Sequence, residues 1–105
     1  MPDCLQVLTT VGSEEEAERI ASALVERRLA ACVQTLGPIT SRYRWQGEVE
    51  EAREWQCLAK TLATKYPDVE AAIRELHPYE EPEIVATPIV AGSPGYLEWV
   101  ADSVE

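Results

Sequence analysis

The segment His77-Pro78-Tyr79-Glu80-Glu81-Pro82-Glu83 gathers the chain's only histidine, a tyrosine, three carboxylates and two prolines. Loops stiffened by proline on a rigid scaffold often carry sites. The two prolines also have a plain structural use, stopping one element and starting the next while His77 hydrogen-bonds locally. Nucleophilic chemistry would need a partner from elsewhere, and Cys32 with His77 is the thiol–imidazole pair on offer. Such a pair requires an exposed, activated thiol. Cys32 lies in the apolar run Ala30-Ala31-Cys32-Val33, which reads as a buried and inert thiol. Metal ligation needs three or four converging ligands. One histidine with Cys4, Cys32 and Cys57 gives no local spacing of that kind, so only folding could bring ligands together. The chain contains no GxSxG, GxGxxG, Walker, HExxH or DxDxDG pattern.

Those residues must be held by one modest domain. A chain of 105 residues, 46% hydrophobic and 27% charged, is of ordinary globular make-up. About two-thirds of its unfolded surface can be buried at this length, enough for one core. Nineteen acidic against 9 basic residues give a formal charge of -10. Phosphate backbones and anionic lipid surfaces would be repelled, so neither nucleic acid nor membrane is an expected partner. Three widely spaced cysteines without a CxxC pair argue against a disulfide framework or zinc knuckle. Met-Pro-Asp-Cys leads directly into a strand, with no secretory pattern, and a reducing cytoplasm is the expected location.

The elements follow from periodicity and punctuation. Cys4 to Val11 reads as a buried strand closed by Gly12. Ser13 and Glu16 form a capping box, and Ala17, Ile20, Ala21, Leu24 and Val25 recur on one helical face. Arg27-Arg28 is expected in the last turn of that helix, complementing its dipole. Ala31 to Leu36 reads as strand, Gly37-Pro38 as a bend or bulge, and Ile39 to Trp45 as strand again. Ile39, Tyr43 and Trp45 share one face. Gln46-Gly47 supplies a turn of two or three residues, and Val49 to Leu62 runs back, with Arg42 or Arg44 opposite Glu51 or Glu50 in either register. Pro67 opens a second helix through Leu76, which ends before Pro78. Ile84 to Val90 is a strand with Pro88 at an edge or a bulge, and Gly92-Ser93-Pro94 starts a short helix burying Tyr96, Trp99 and Val100. The order β-α-β-β-α-β plus a tail helix is α+β and ferredoxin-like: four antiparallel strands with two helices on one face.

One length does not suit an isolated chain. A domain of this size has a diameter of roughly 30–35 Å. Strands of ~15 residues span roughly 50 Å. The hairpin either curls over its own sheet or projects, and projection of Tyr43, Trp45 and Trp55 calls for neighbouring subunits to cover them.

The run Leu29-Ala30-Ala31-Cys32-Val33, then Ser41-x-Tyr43-x-Trp45-x-Gly47, Lys60-Thr61, His77-Pro78-Tyr79-x-x-Pro82-Glu83 and Tyr96-Leu97-x-Trp99, resembles the CutA divalent-cation tolerance family. The match is collinear from Leu5 to about Val104, so residues 1–105 read as a single CutA-like domain. The resemblance implies a homotrimer with PII-like architecture, long hairpins extending the sheets between subunits, and Tyr43, Trp45 and Trp55 at the oligomer interface. It also implies a response to copper or another divalent cation, with His77 and Glu80 as the expected ligands and no cofactor required. Thr9 stands where some copper-binding relatives have cysteine, and Leu76 where they have a second histidine, so the expected copper binding is weak. Gln34 replaces a usual asparagine. The alternative is a PII-like signalling or scaffold trimer holding a small molecule or a protein in subunit clefts formed by Cys32, Lys60, His77 and Tyr79. An enzyme using Cys32, Lys60 and His77 is the third reading; the expectation is that the protein is not an enzyme.

Overall fold

The computed structural model describes residues 2–105. Its elements in order are β1 (Cys4–Val11), α1 (Glu14–Glu26), β2 (Cys32–Trp45), β3 (Glu48–Leu62), a 3-10 turn (Ala63–Lys65), α2 (Tyr66–Leu76), β4 (Ile84–Pro88) and α3 (Pro94–Ser103). The four strands form one antiparallel sheet in the order β2-β3-β1-β4, the expected ferredoxin-like arrangement.

Local chemistry sets the element ends. The Glu16 amide donates to Ser13 Oγ at 3.2 Å, and the Ser13 hydroxyl donates to the Glu16 carboxylate at 3.1 Å. This satisfies an amide that the first helical turn leaves free. The helix stops at Glu26, earlier than expected, because the backbone at Arg28 turns left-handed with φ 60°. Arg27 and Arg28 thus lie just past the last turn, and Arg27 pairs instead with Glu75 of α2 at 2.9 Å. β4 likewise ends at Pro88 rather than Val90. It is an edge strand, where a proline without an N–H is tolerated.

Strand alternation sends Val7 and Val11 of β1 and Cys57 and Ala59 of β3 to one face. There they pack with Ile20 and Leu24 of α1 and Val69 and Ile73 of α2 in the main core. On the opposite face α3 covers only one end, where Leu97, Val100 and Val104 bury Cys4 and Ala31. Beyond it this face is open: Leu8 and Leu58 are half-buried, and Leu36 and Val85 are exposed.

β2 is one strand rather than two, running through Gly37-Pro38 with a register shift between Leu36 and Ile39. Leu36 pairs with Gln56 and Ile39 with Glu54, so two residues face one and a bulge results. The bulge puts Ile39, Tyr43 and Trp45 on the same sheet face as Leu36, the open one. The turn is the two-residue version, with φ 51° at Gln46 and 82° at Gly47. It places Arg42 opposite Glu51, and the two form an ion pair. The molecule measures 44 × 25 × 22 Å, elongated by this hairpin, whose tip exposes Tyr43, Trp45 and Val49. Trp55 does not belong to that tip. It pairs with Val11, is partly buried against the main core, and lies so close under Gly37 that a Cβ there would run into its ring. Among the described residues no helix is long and apolar enough to cross a membrane.

Candidate functional site

The proline-stiffened loop is pinned across the end of the sheet by two hydrogen bonds and braced by one within itself. His77, only 8% exposed, donates from Nε2 to the Thr10 carbonyl at 2.8 Å, and its Nδ1 accepts the Tyr79 amide at 3.1 Å. That pattern is the neutral tautomer with its proton on Nε2. The Tyr79 hydroxyl then donates to the Glu54 carboxylate of β3 at 2.8 Å, and the Tyr79 and His77 rings lie 4.8 Å apart. Burial, followed by the bond to Glu54, pushes the Tyr79 phenol well above its ordinary range, so it stays a donor. Gly12 leaves room for this hydroxyl: a Cβ there would sit 3.2 Å from it.

Between this loop and the hairpin lies a cleft of about 630 Å³. Ser41, Tyr43 and Trp45, together with Arg42, form its hairpin wall. Tyr79, Glu80, Glu81 and Glu83 form the loop wall, and Thr10 and Glu54 lie on the sheet. Glu54 is 7% exposed, and among the described residues no basic side chain pairs with it. A shallower depression of about 470 Å³, beside Arg27, Leu29 and Ala72, gathers no comparable set of groups.

The structure separates two pairs that the sequence reading groups together. Cys32 and Lys60 are cross-strand partners beside Gln6, whereas His77 contacts Thr10 and Tyr79 contacts Glu54 at the opposite end of the sheet. Within one chain, Cys32, Lys60, His77 and Tyr79 therefore do not line a common cleft, and the Cys32–His77 pair does not form. Cys32 is also not the buried thiol expected from its apolar neighbours, because β2 is an edge strand and this side chain emerges on the open face. Its Sγ lies 3.5 Å from the Tyr96 hydroxyl, and the Tyr96 phenol is pushed up to about 12, first by that bond and then by burial. Lys60 donates to Gln34 Oε1 at 3.0 Å. Cys4 and Cys57 are the buried thiols, both pushed up chiefly by burial.

Sequence reasoning missed Glu54 and Thr10. Period-two counting back from the buried Cys57 puts Glu54 on the opposite face of β3, which was the available signal. Nothing local announces that Tyr79, from a distant loop, lands on it.

A model of the CutA1 divalent ion tolerance protein family matches residues 5–103. The chain belongs to that family. It is 52% identical over 97 residues to a divalent-cation tolerance protein CutA of Thermus thermophilus, covering 92% of this chain and 94% of the relative. A solved structure of the divalent cation tolerance protein Cut A1 from Thermus thermophilus superposes with a TM-score of 0.95 at 49% identity, covering 97% of this chain and 99% of that one. A structure described as the periplasmic divalent cation tolerance protein CutA from Archaeoglobus fulgidus gives a TM-score of 0.94 at 39% identity, covering 97% and 99% of the two chains.

The expected ligand pair of this CutA chain does not fit a metal. Both ring nitrogens of His77 are already engaged by backbone groups, and Glu80, on the loop wall, is exposed. Thr9 adds no ligand, since it is buried on the helix-covered face with its hydroxyl unpartnered. Among the described residues no three His, Cys, Asp or Glu side chains are grouped to hold an ion. The histidine is a bracket for the loop.

Proposed function

We propose that this CutA chain serves divalent-cation tolerance as a cytoplasmic homotrimer without catalytic activity, its hairpins covering neighbouring subunits. The observation that carries this reading is the run of apolar side chains left open on one face, from Leu36 and Val85 to Tyr43 and Trp45 at the tip. Patches of this kind mark interaction surfaces in soluble proteins. The edge strands β2 and β4 add unpaired backbone groups. A hairpin of one copy on the body of the next is a heterologous contact, and three such contacts close into a ring. Three unpaired thiols suit a reducing compartment, although the Archaeoglobus relative is described as periplasmic. Sedimentation at micromolar concentration should give three times the 11.7 kDa of the chain. A folded monomer there overturns the reading, and Trp45→Ala should loosen the assembly.

Metal contact in this reading is weak and independent of His77. Copper stands at the top of the divalent series, so bare binding in vitro is a poor guide to a built site. Calorimetry with copper on the wild type and on His77→Ala should give similar, weak isotherms. Tight stoichiometric binding abolished by the substitution sinks this account of the histidine.

The cleft beside the hairpin supports a second reading, a PII-like signalling or scaffold trimer with a small ligand at the subunit boundary. Its volume falls within the range of small-molecule sites, and it combines aromatic walls with a few converging polar groups.

A further inference from the structure

We infer that Lys60 of one copy pairs with Glu54 of the next, an ion pair that a single chain cannot make. The inference rests on the reading that copies assemble through the open sheet face, and it names two groups that meet there.

Strand register sorts the charges of that face. Glu54 stands opposite Ile39, and Lys60 stands between Cys32 and Gln6. Alternation along β3 puts Glu48, Glu50, Glu54 and Lys60 on the open side and Glu51 and Arg53 on the other. Arg42 and Arg44 pair with Glu51 and Val49, so they belong to that other side too. β1 and β4 contain no charged residue, and α3, which packs on the open side, carries only the acids Glu98 and Asp102. Among the described strand residues, Lys60 is therefore the one cation on the surface that assembly covers.

Neither group has a counter-charge within the chain. Lys60 is half-buried, and its Nζ donates to the neutral amide of Gln34 at 3.0 Å. Glu54 is 7% exposed and accepts from the neutral Tyr79 phenol, which supplies a hydrogen bond but no charge. Among the described residues no ion pair includes either side chain. Covering the face strips water from Lys60, and a lone buried ammonium or carboxylate is far less stable than the two together. The pair cannot form within one copy, because residues 54 and 60 stand ~20 Å apart along β3. In a ring of heterologous contacts, by contrast, two different patches of one surface meet at every boundary. Glu48 and Glu50 are exposed at the tip. Glu54 is already shielded by its own fold and fixed by Tyr79, so pairing there requires the least further desolvation and ordering.

The test is a double-mutant cycle on the full chain with Glu54→Gln and Lys60→Met. Sedimentation over a dilution series gives the protein concentration at which half of the assembly has dissociated. Glu54→Gln keeps the shape and an acceptor for Tyr79, and Lys60→Met keeps an apolar stem. Each alone should raise that concentration by about tenfold, because it leaves its partner's charge buried and unpaired. Both together should raise it by about tenfold in all, against the roughly hundredfold of independent sites. Groups ~20 Å apart in one chain do not couple, so non-additivity reports a contact between copies. A control cycle of Lys60→Met with Glu50→Gln should be additive. Circular dichroism checks the fold of each variant. Should Glu54→Gln not fold, Glu54→Asp, which withdraws the charge by one methylene, takes its place in the cycle. Assembly that persists while the single effects are absent or additive overturns this inference alone, as does coupling of Lys60→Met to Glu50→Gln instead. A wild type that sediments as a folded monomer removes the assembly reading and this inference with it.

Discussion

The two faces of the sheet are built from similar residues but arrive at different ends. The face under α1 and α2 is closed: Val7, Val11, Ile20, Leu24 and Ile73 are all at most 1% exposed. The opposite face has a helix over one end only, and Leu36, Val85 and Trp45 remain 47%, 48% and 55% exposed. Hydrophobic residues drive folding where the chain supplies its own cover and association where it does not. The first face holds the chain's own core, and the second leaves the apolar surface on which the proposed assembly rests.

Substitutions can break this contrast or sharpen it. The largest effect is expected on the closed face, where Leu24→Ala leaves a cavity and should cost about 2–5 kcal/mol at any protein concentration. Denaturant titration at two concentrations measures it. A loss that instead varies with concentration would place Leu24 in the association surface. Leu36→Ala should behave in the opposite way, with a cost that grows as the protein is concentrated.

Next in size is His77→Ala, which strands the Thr10 carbonyl and the Tyr79 amide and should cost about 1–3 kcal/mol. Chemical denaturation reads this directly, and loss below about 0.5 kcal/mol would show that the loop is not pinned by the ring.

A smaller, pH-dependent effect belongs to Tyr79. Burial and the Glu54 bond raise its folded-state value, so the folded protein holds that proton more tightly than the unfolded chain. The stabilisation is complete below the unfolded value near ~10 and is lost progressively as pH rises above it. Tyr79→Phe should therefore flatten the alkaline decline in melting temperature. Tyr66, Tyr96, Cys4 and Cys57 are raised in the same direction, so part of the slope should remain. The smallest effect is expected at the exposed hairpin pair, where Arg42→Ala should cost less than about 1 kcal/mol and fade in salt.

Much of the fold was legible because its signals are local. Ser13 and Glu16 announce a helix start, Pro67 and Pro78 bracket another, and Ile20 with Leu24 shows which side is buried. Strand length alone left the hairpin to curl over its own sheet or to project, and the 44 Å long axis shows the elongation. What lay beyond reach depends on distant pairings. Gly37-Pro38 reads as a bend or a bulge, and only the pairing with β3, with Trp55 lying against that glycine, decides for a bulge through which β2 continues. His77 reads either as a ligand or as a local hydrogen-bonding residue until the carbonyl of Thr10, 67 positions away, is seen to accept its Nε2–H. The aromatic tip was identifiable, but the acid at its base was not, since Glu54 becomes a site residue only when the loop folds over it. Cys32 shows the limit of composition: its neighbours are apolar, yet its edge-strand position leaves it only half-buried.

The strand order β2-β3-β1-β4 carries a consequence for how the chain is made. β1 is synthesised first but occupies the interior of the sheet, with β3 on one side and β4 on the other. It can be flanked on both sides only after Pro88 has been synthesised. The β2–β3 hairpin closes through a two-residue turn and can form early, whereas β1 must wait for partners of high sequence separation. A nascent chain thus carries an unpaired apolar strand until β3 and β4 have followed it, and that interval is where chaperones would be expected to bind.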